Sequence, residues 1–115
     1  MIIVYKNKFW RQKAKSIALL HTEKYQSFPI SDTLKHQLNV ERVNPEIFEE
    51  IVNMICHFDV LPSTDVPILI CWFAGSVAEK IEHLSTQLIG QICHEVLCNY
   101  LHIPPEKHSF VNVLK

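Results

Sequence analysis

Glycine is nearly absent: the chain of 115 residues holds only Gly75 and Gly90. A loop that cradles phosphates needs glycines where backbone amides crowd the ligand, so no nucleotide or dinucleotide fingerprint can be placed on this sequence. An excess of one charge is missing as well, because eleven Lys and Arg stand against twelve Asp and Glu. That balance leaves no electrostatic footprint for nucleic acid or an anionic membrane. A mild basic run, "KNKFWRQKAK" from Lys6 to Lys15, reads as a solvated turn between strands. No apolar stretch approaches the roughly 20 residues that a membrane-spanning helix needs. "MIIVY" runs into Lys6 and Lys8 where a signal peptide would continue its apolar core towards a cleavage site. Cysteine is present but unpatterned: Cys56, Cys71, Cys93 and Cys98 fall at irregular spacings inside apolar segments, which suits reduced core thiols and not a disulfide framework. These absences predict an intracellular protein that is not secreted and has no nucleic-acid or membrane partner.

What is there is a globular balance, 48% apolar and 20% charged residues, on a chain long enough for one compact domain and too short for two. "IIVY", residues 2–5, is β-branched and aromatic and predicts a strand, and "SIALLHT" from Ser16 to Thr22 predicts a second. The polar stretch from Glu23 to Arg42, with turn signals at Pro29, Ser31 and Asp32, predicts an exposed connection. Asn44 and Pro45 form a helix start, because the Asn side chain accepts from free backbone amides and proline fills the first position, where no donor is needed. A helical turn or two then passes into a strand near "MICHFDVL". Pro62 and Pro67 bracket a tight connection to "ILICWFAG", which has the length and β-branching of a central strand. Val77, Ala78, Ile81 and Leu84 mark one face of a short helix, and Ser85 caps a second, with Leu84 and Ile89 placed as a hydrophobic staple. A broad stripe from Leu88 to Leu101 lays this helix on a sheet, Pro104 and Pro105 stop it, and "SFVNVLK" alternates as a final strand. The order predicts an α+β fold with a mixed, largely antiparallel sheet and helices packed on one face.

Candidate chemistry is sparse. His94, Cys98 and His102 share one helix flank, yet a closed metal site wants a fourth ligand and short paired spacings, so no metal ligand is assigned. Cys56 with His57 and Cys93 with His94 are sequence neighbours, and neighbours on a strand or helix point apart, so neither pair is a nucleophile and its base. Trp10 and Trp72 are the largest apolar groups and suit core or interface packing, or the lining of a ligand cavity. Gly75 suits a sharp strand-to-helix turn, and Glu79, Lys80 and Glu82 a solvated helix face. Neither a catalytic nor a cofactor-binding residue is assigned.

Four segments nevertheless resemble, in order and spacing, the substrate-binding domain of the flavin-containing amine oxidases, most closely the polyamine oxidase and spermine oxidase branch. They are "IIVYKNKFW", "ICHFDVL", "PILICWFAGSVAEKIEHLS" and "LIGQICHEVLCNYLHIPPEK", and together they span most of residues 2–107. The resemblance implies a single partial domain over residues 1–115, a fragment or truncated paralogue of an FAD-dependent oxidase of polyamine-like amines, in which this part walls the substrate cavity. In full-length relatives the flavin accepts a hydride equivalent from the carbon beside the amine, giving an imine that water hydrolyses. Nothing in these 115 residues matches the family's Gly-rich flavin-binding segments, residues 23–50 match it poorly, and the family's flavin-side lysine would fall before Met1. The resemblance thus implies FAD as cofactor of full-length relatives and none for this chain alone, a cytoplasmic or peroxisomal location, and self-association through exposed apolar surface. A histone-demethylase-like oxidase is the nearest sibling, and a non-catalytic interaction module derived from the same domain is the alternative.

Overall fold

The computed structural model describes residues 1–10, 15–18, 29–61, 67–73 and 77–114, with only the backbone of Cys56, Val77 and Ala78. The elements run β1 (Ile2–Tyr5), β2 (Ser16–Ala18), α1 (Asp32–Val40), α2 (Pro45–Met54), β3 (Ile55–Val60), β4 (Ile68–Phe73), α3 (Val77–Ile81), α4 (Thr86–Leu101), a short 3₁₀ turn (Pro105–Lys107) and β5 (Phe110–Leu114). The strands make a five-stranded sheet in the order β2-β3-β4-β1-β5, and each described pairing is antiparallel. The fold is α+β, and the sheet needs no parallel pair. The continuation of the second strand through Thr22, the turn at Gly75 and the bend at Pro62 lie outside the described residues.

Period-two alternation sorts the strand side chains onto two faces. Ile3 and Tyr5 of β1, Ile17 of β2, Phe58 of β3, Leu69 and Cys71 of β4 and Val113 of β5 are buried in one cluster with Leu34 of α1, Ile51 and Val52 of α2 and the stripe of α4. The helices therefore lie on a single face of the sheet. Two register shifts interrupt the ladders, between Ile55 and His57 on β3 and between Val4 and Tyr5 where β1 meets β5.

Residues 32–40 correct the reading of the polar stretch as an exposed connection, because Asp32 to Val40 are helical and Leu34 is fully buried. Ser31 caps this helix by accepting from the amide of Leu34. The helix after Asn44 is longer than a turn or two, running ten residues, with Asn44 Oδ1 accepting from Glu46 N at 2.7 Å and Pro45 at its first position. Ser85 caps α4 as expected, accepting from Leu88 N at 3.1 Å.

Both α1 and α4 end with a left-handed residue that is not glycine. Arg42 has φ 55° and His102 φ 58°. Val43 N reaches back to Leu38 O and Ile103 N to Cys98 O, each at 2.9 Å, the longer bond of a Schellman ending. Gly90 serves a different end. A methyl group there would sit 2.5 Å from Cγ2 of Val113, so the missing side chain is what lets α4 lie directly on β5.

Candidate functional site

The face of the sheet turned away from the helices is the first candidate. Cross-strand register sets Ile70 beside Ile2, and Ile2 beside Leu114, in one row, and Ile68 beside Val4 in the next. The isoleucines and Val4 are half-buried, whereas Leu114 is 50% and Trp72 48% exposed. None of these side chains belongs to the core cluster. At one end of the stripe Trp72 Nε1 donates to Asp59 Oδ2 at 2.7 Å, and His57 stacks beside the indole with ring centroids 6.3 Å apart. The other carboxylate oxygen of Asp59 lies 3.6 Å from His57 Nε2. This corner offers a flat aromatic surface next to a carboxylate, a pair suited to a cation.

Nucleophilic catalysis is not built there. The β2–β3 register puts Ser16 opposite Asp59 and Ala18 opposite His57, so the carboxylate stands between hydroxyl and imidazole. A serine nucleophile needs the imidazole in the middle, taking the hydroxyl proton while the carboxylate orients it.

The flank carrying His94, Cys98 and His102 does not converge. Cys98 Sγ is 3.7 and 3.8 Å from the two ring nitrogens of His94, but both nitrogens are committed elsewhere and His102 is exposed at the helix end. Among the described residues no group of three or more His, Cys, Asp or Glu side chains is placed to hold a metal ion. His94 is 1% exposed, with Nδ1 2.9 Å from the Tyr5 hydroxyl and Nε2 2.9 Å from the carbonyl of Pro105. A carbonyl only accepts, so Nε2 carries the hydrogen and Tyr5 donates to Nδ1. Burial holds the imidazole below its ordinary value and in the neutral form this pattern requires. Cys93, next in sequence, serves the core beside Cys71, and burial raises its thiol well above its ordinary value. Trp10 is buried edge-on to Tyr5 and Phe9, and among the described residues its indole N–H finds no partner. The side chain of Cys56 lies outside the described residues.

Two glutamates that the sequence pattern did not single out occupy the described serine-capped helix starts. Glu95, 2% exposed on α4, accepts from Ser31 N at 2.7 Å, Ser31 Oγ at 2.6 Å and Gln91 Nε2 at 2.6 Å. Glu41, just past α1, accepts from Ser85 N at 2.8 Å and Ser85 Oγ at 2.5 Å. A capping box draws its carboxylate from the same helix. Here each carboxylate comes from the other helix, and the pair clamps α1 against α4 at both ends. A helix N-terminus is where a cofactor pyrophosphate would bind. At α1 and α4 that slot already holds a carboxylate of the protein, so neither of these two starts is open to a pyrophosphate.

No protein-family model matches the chain, and neither does any curated protein or solved structure. Among the described residues no helix is long and apolar enough to cross a membrane.

Proposed function

We propose that the chain is the substrate-domain part of an FAD-dependent amine oxidase of the polyamine and spermine type, and that it contributes a wall of the amine-binding cavity without holding the flavin. The observation that carries this reading is the two-faced sheet, with helices on one side and, on the other, an apolar stripe ending in Trp72 and Asp59. The resembling segments supply the parts of that wall. "IIVY" forms β1, "ICHFDV" β3 and "ILICWF" β4, while "LIGQICHEVLCNYL" falls within α4, which backs the sheet. A methylene chain suits the half-buried isoleucines, and an ammonium group suits the indole face and carboxylate at the stripe's end. FAD would come from residues other than these, since neither a glycine cluster nor an open α1 or α4 start is available to it.

A non-catalytic module that kept the sheet and uses the same face for a protein partner is the second reading, favoured by the exposure of Trp72 and Leu114. A partner recovered in fixed stoichiometry would support it, and recovery of chaperones alone would count against it. The oxidase reading is tested by purifying the chain, adding FAD and spermine, removing free flavin, and recording the visible spectrum and peroxide release. The expected result is no retained flavin and no peroxide above a no-protein control. Stoichiometric flavin or turnover would overturn the assignment of this part as a wall alone.

A further inference from the structure

We propose that the open sheet face selects an amine with one positive charge at the head of an apolar chain of about eleven carbons, and that further ammonium groups along the chain weaken binding. This rests on the reading of the face as an amine-binding wall and narrows the class of amine within it. Charge decides the matter. The five strands hold a single carboxylate, Asp59, and neither lysine nor arginine. Among the described residues the ion pairs are His57 with Asp59 and Lys80 with Glu50, so no lysine or arginine neutralises Asp59. Its carboxylate accepts from Trp72 Nε1 at 2.7 Å and the side chain is still 42% exposed, which leaves lone pairs for a bound ammonium group.

The register fixes where the rest of the ligand lies. One cross-strand row runs from Asp59 on β3 to Ile70 on β4, Ile2 on β1 and Leu114 on β5, and on the other side of Asp59 it ends at Ser16 on β2. Neighbouring strands lie about 4.8 Å apart, so the three steps from Asp59 to Leu114 cover about 14 Å. An extended alkylamine of about eleven carbons has that length. Beyond Asp59 each side chain of the row is apolar, with Ile70 and Ile2 half-buried and Leu114 50% exposed.

A methylene group over Ile70 or Ile2 gains by leaving water, whereas an ammonium group there loses water and meets no carboxylate. In spermine the second nitrogen follows the first by four bonds, about 5 Å, which sets it at Ile70 when the first is at Asp59. Spermine therefore contacts the same residues at a cost that an uncharged chain avoids. At the far end of the row Leu114 stands where a diamine would need a second anion.

Affinities read from the Trp72 indole and the Ile2 and Ile70 methyl resonances test the selection, at about 0.15 M salt so that long-range attraction of polycations is screened. From butylamine upward, affinity is expected to rise about twofold per methylene, half the free energy of a fully buried CH₂, and to level off near undecylamine. Heptylamine and 1,6-diaminohexane are equally long and differ in whether methyl or ammonium comes to Ile2, and heptylamine should bind about tenfold more tightly. Leu114→Glu puts a second carboxylate at the exposed end of the row and should let 1,10-diaminodecane bind more tightly than undecylamine. Equal or tighter binding of 1,6-diaminohexane than of heptylamine, or no dependence on chain length, would overturn the proposal and leave the wall reading standing. Absence of shifts with every amine would overturn both.

Discussion

At Gly90 the absence of a side chain is a packing requirement. Alanine is intrinsically better than glycine inside a helix by about 1 kcal/mol, but its methyl would meet Val113 at 2.5 Å. Overpacking of that kind costs about 1–3 kcal/mol, so Gly90→Ala should lose stability on balance in urea denaturation. Adding Val113→Ala should recover part of that loss. The thiols and the phenol give a second expectation. Burial pushes Cys98 up to about 12, and Cys93 and Tyr5 well above 9.0 and 10.0, so all three are neutral in the fold. The unfolded thiols ionise from about pH 9 upward, so the stability tied to these groups is complete below that and is lost as pH rises through the folded values. Denaturation midpoints should hold level from pH 7 to 8.5 and fall from there towards pH 11. A midpoint flat to pH 11 would contradict the burial of these groups. Of this chemistry the sequence revealed the core thiols, whose apolar neighbours mark them, but not His94 and Glu95. Those two sit in the apolar stripe of α4 and are satisfied by Tyr5 and Ser31, partners 89 and 64 residues away.

Helix α1 shows where local pattern stops being informative. "DTLKHQLNV" offers an apolar periodicity too thin to mark a helix, and its one fully buried side chain is Leu34. What holds it is the carboxylate exchange with α4, Glu95 to Ser31 and Glu41 to Ser85, which no window of sequence displays. Leu34→Ala should cost about 2–5 kcal/mol, as for a core leucine, and a value near zero would return residues 32–40 to the status of an exposed connection. Glu95→Gln leaves three donors, Ser31 N, Ser31 Oγ and Gln91 Nε2, facing an amide that can accept only through one oxygen, and should cost about 1–3 kcal/mol. In a double-mutant cycle Ser31→Ala and Glu95→Gln should be strongly non-additive. The helix ends give an opposite sign: His102→Gly removes a left-handed non-glycine residue, which costs roughly 1 kcal/mol or more, and should raise the midpoint slightly. Asn44 and Ser85 were legible as helix starts because each accepts from an amide two or three residues away, and Pro45 because the first helical position needs no donor.

Among the described residues the sheet carries helices on one face and, on the other, an apolar stripe that lies outside the core cluster. The α+β class followed from the order of elements. The strand order did not, since β1 comes to lie between β4 and β5 through pairings that span more than 60 residues. Nor did the open face show itself, because alternation predicts two faces without saying which will be covered. We propose that this face, ending at Trp72 and Asp59, is the amine-facing wall. It is tested most directly by following the indole N–H resonance of Trp72 and the methyl resonances of Ile2, Val4, Ile68 and Ile70 while spermine is added at low salt. Saturable shifts confined to these residues are expected, lost in Trp72→Ala and weakened in Asp59→Asn. No shift up to millimolar spermine, or shifts centred on the helix side of the sheet, would contradict it.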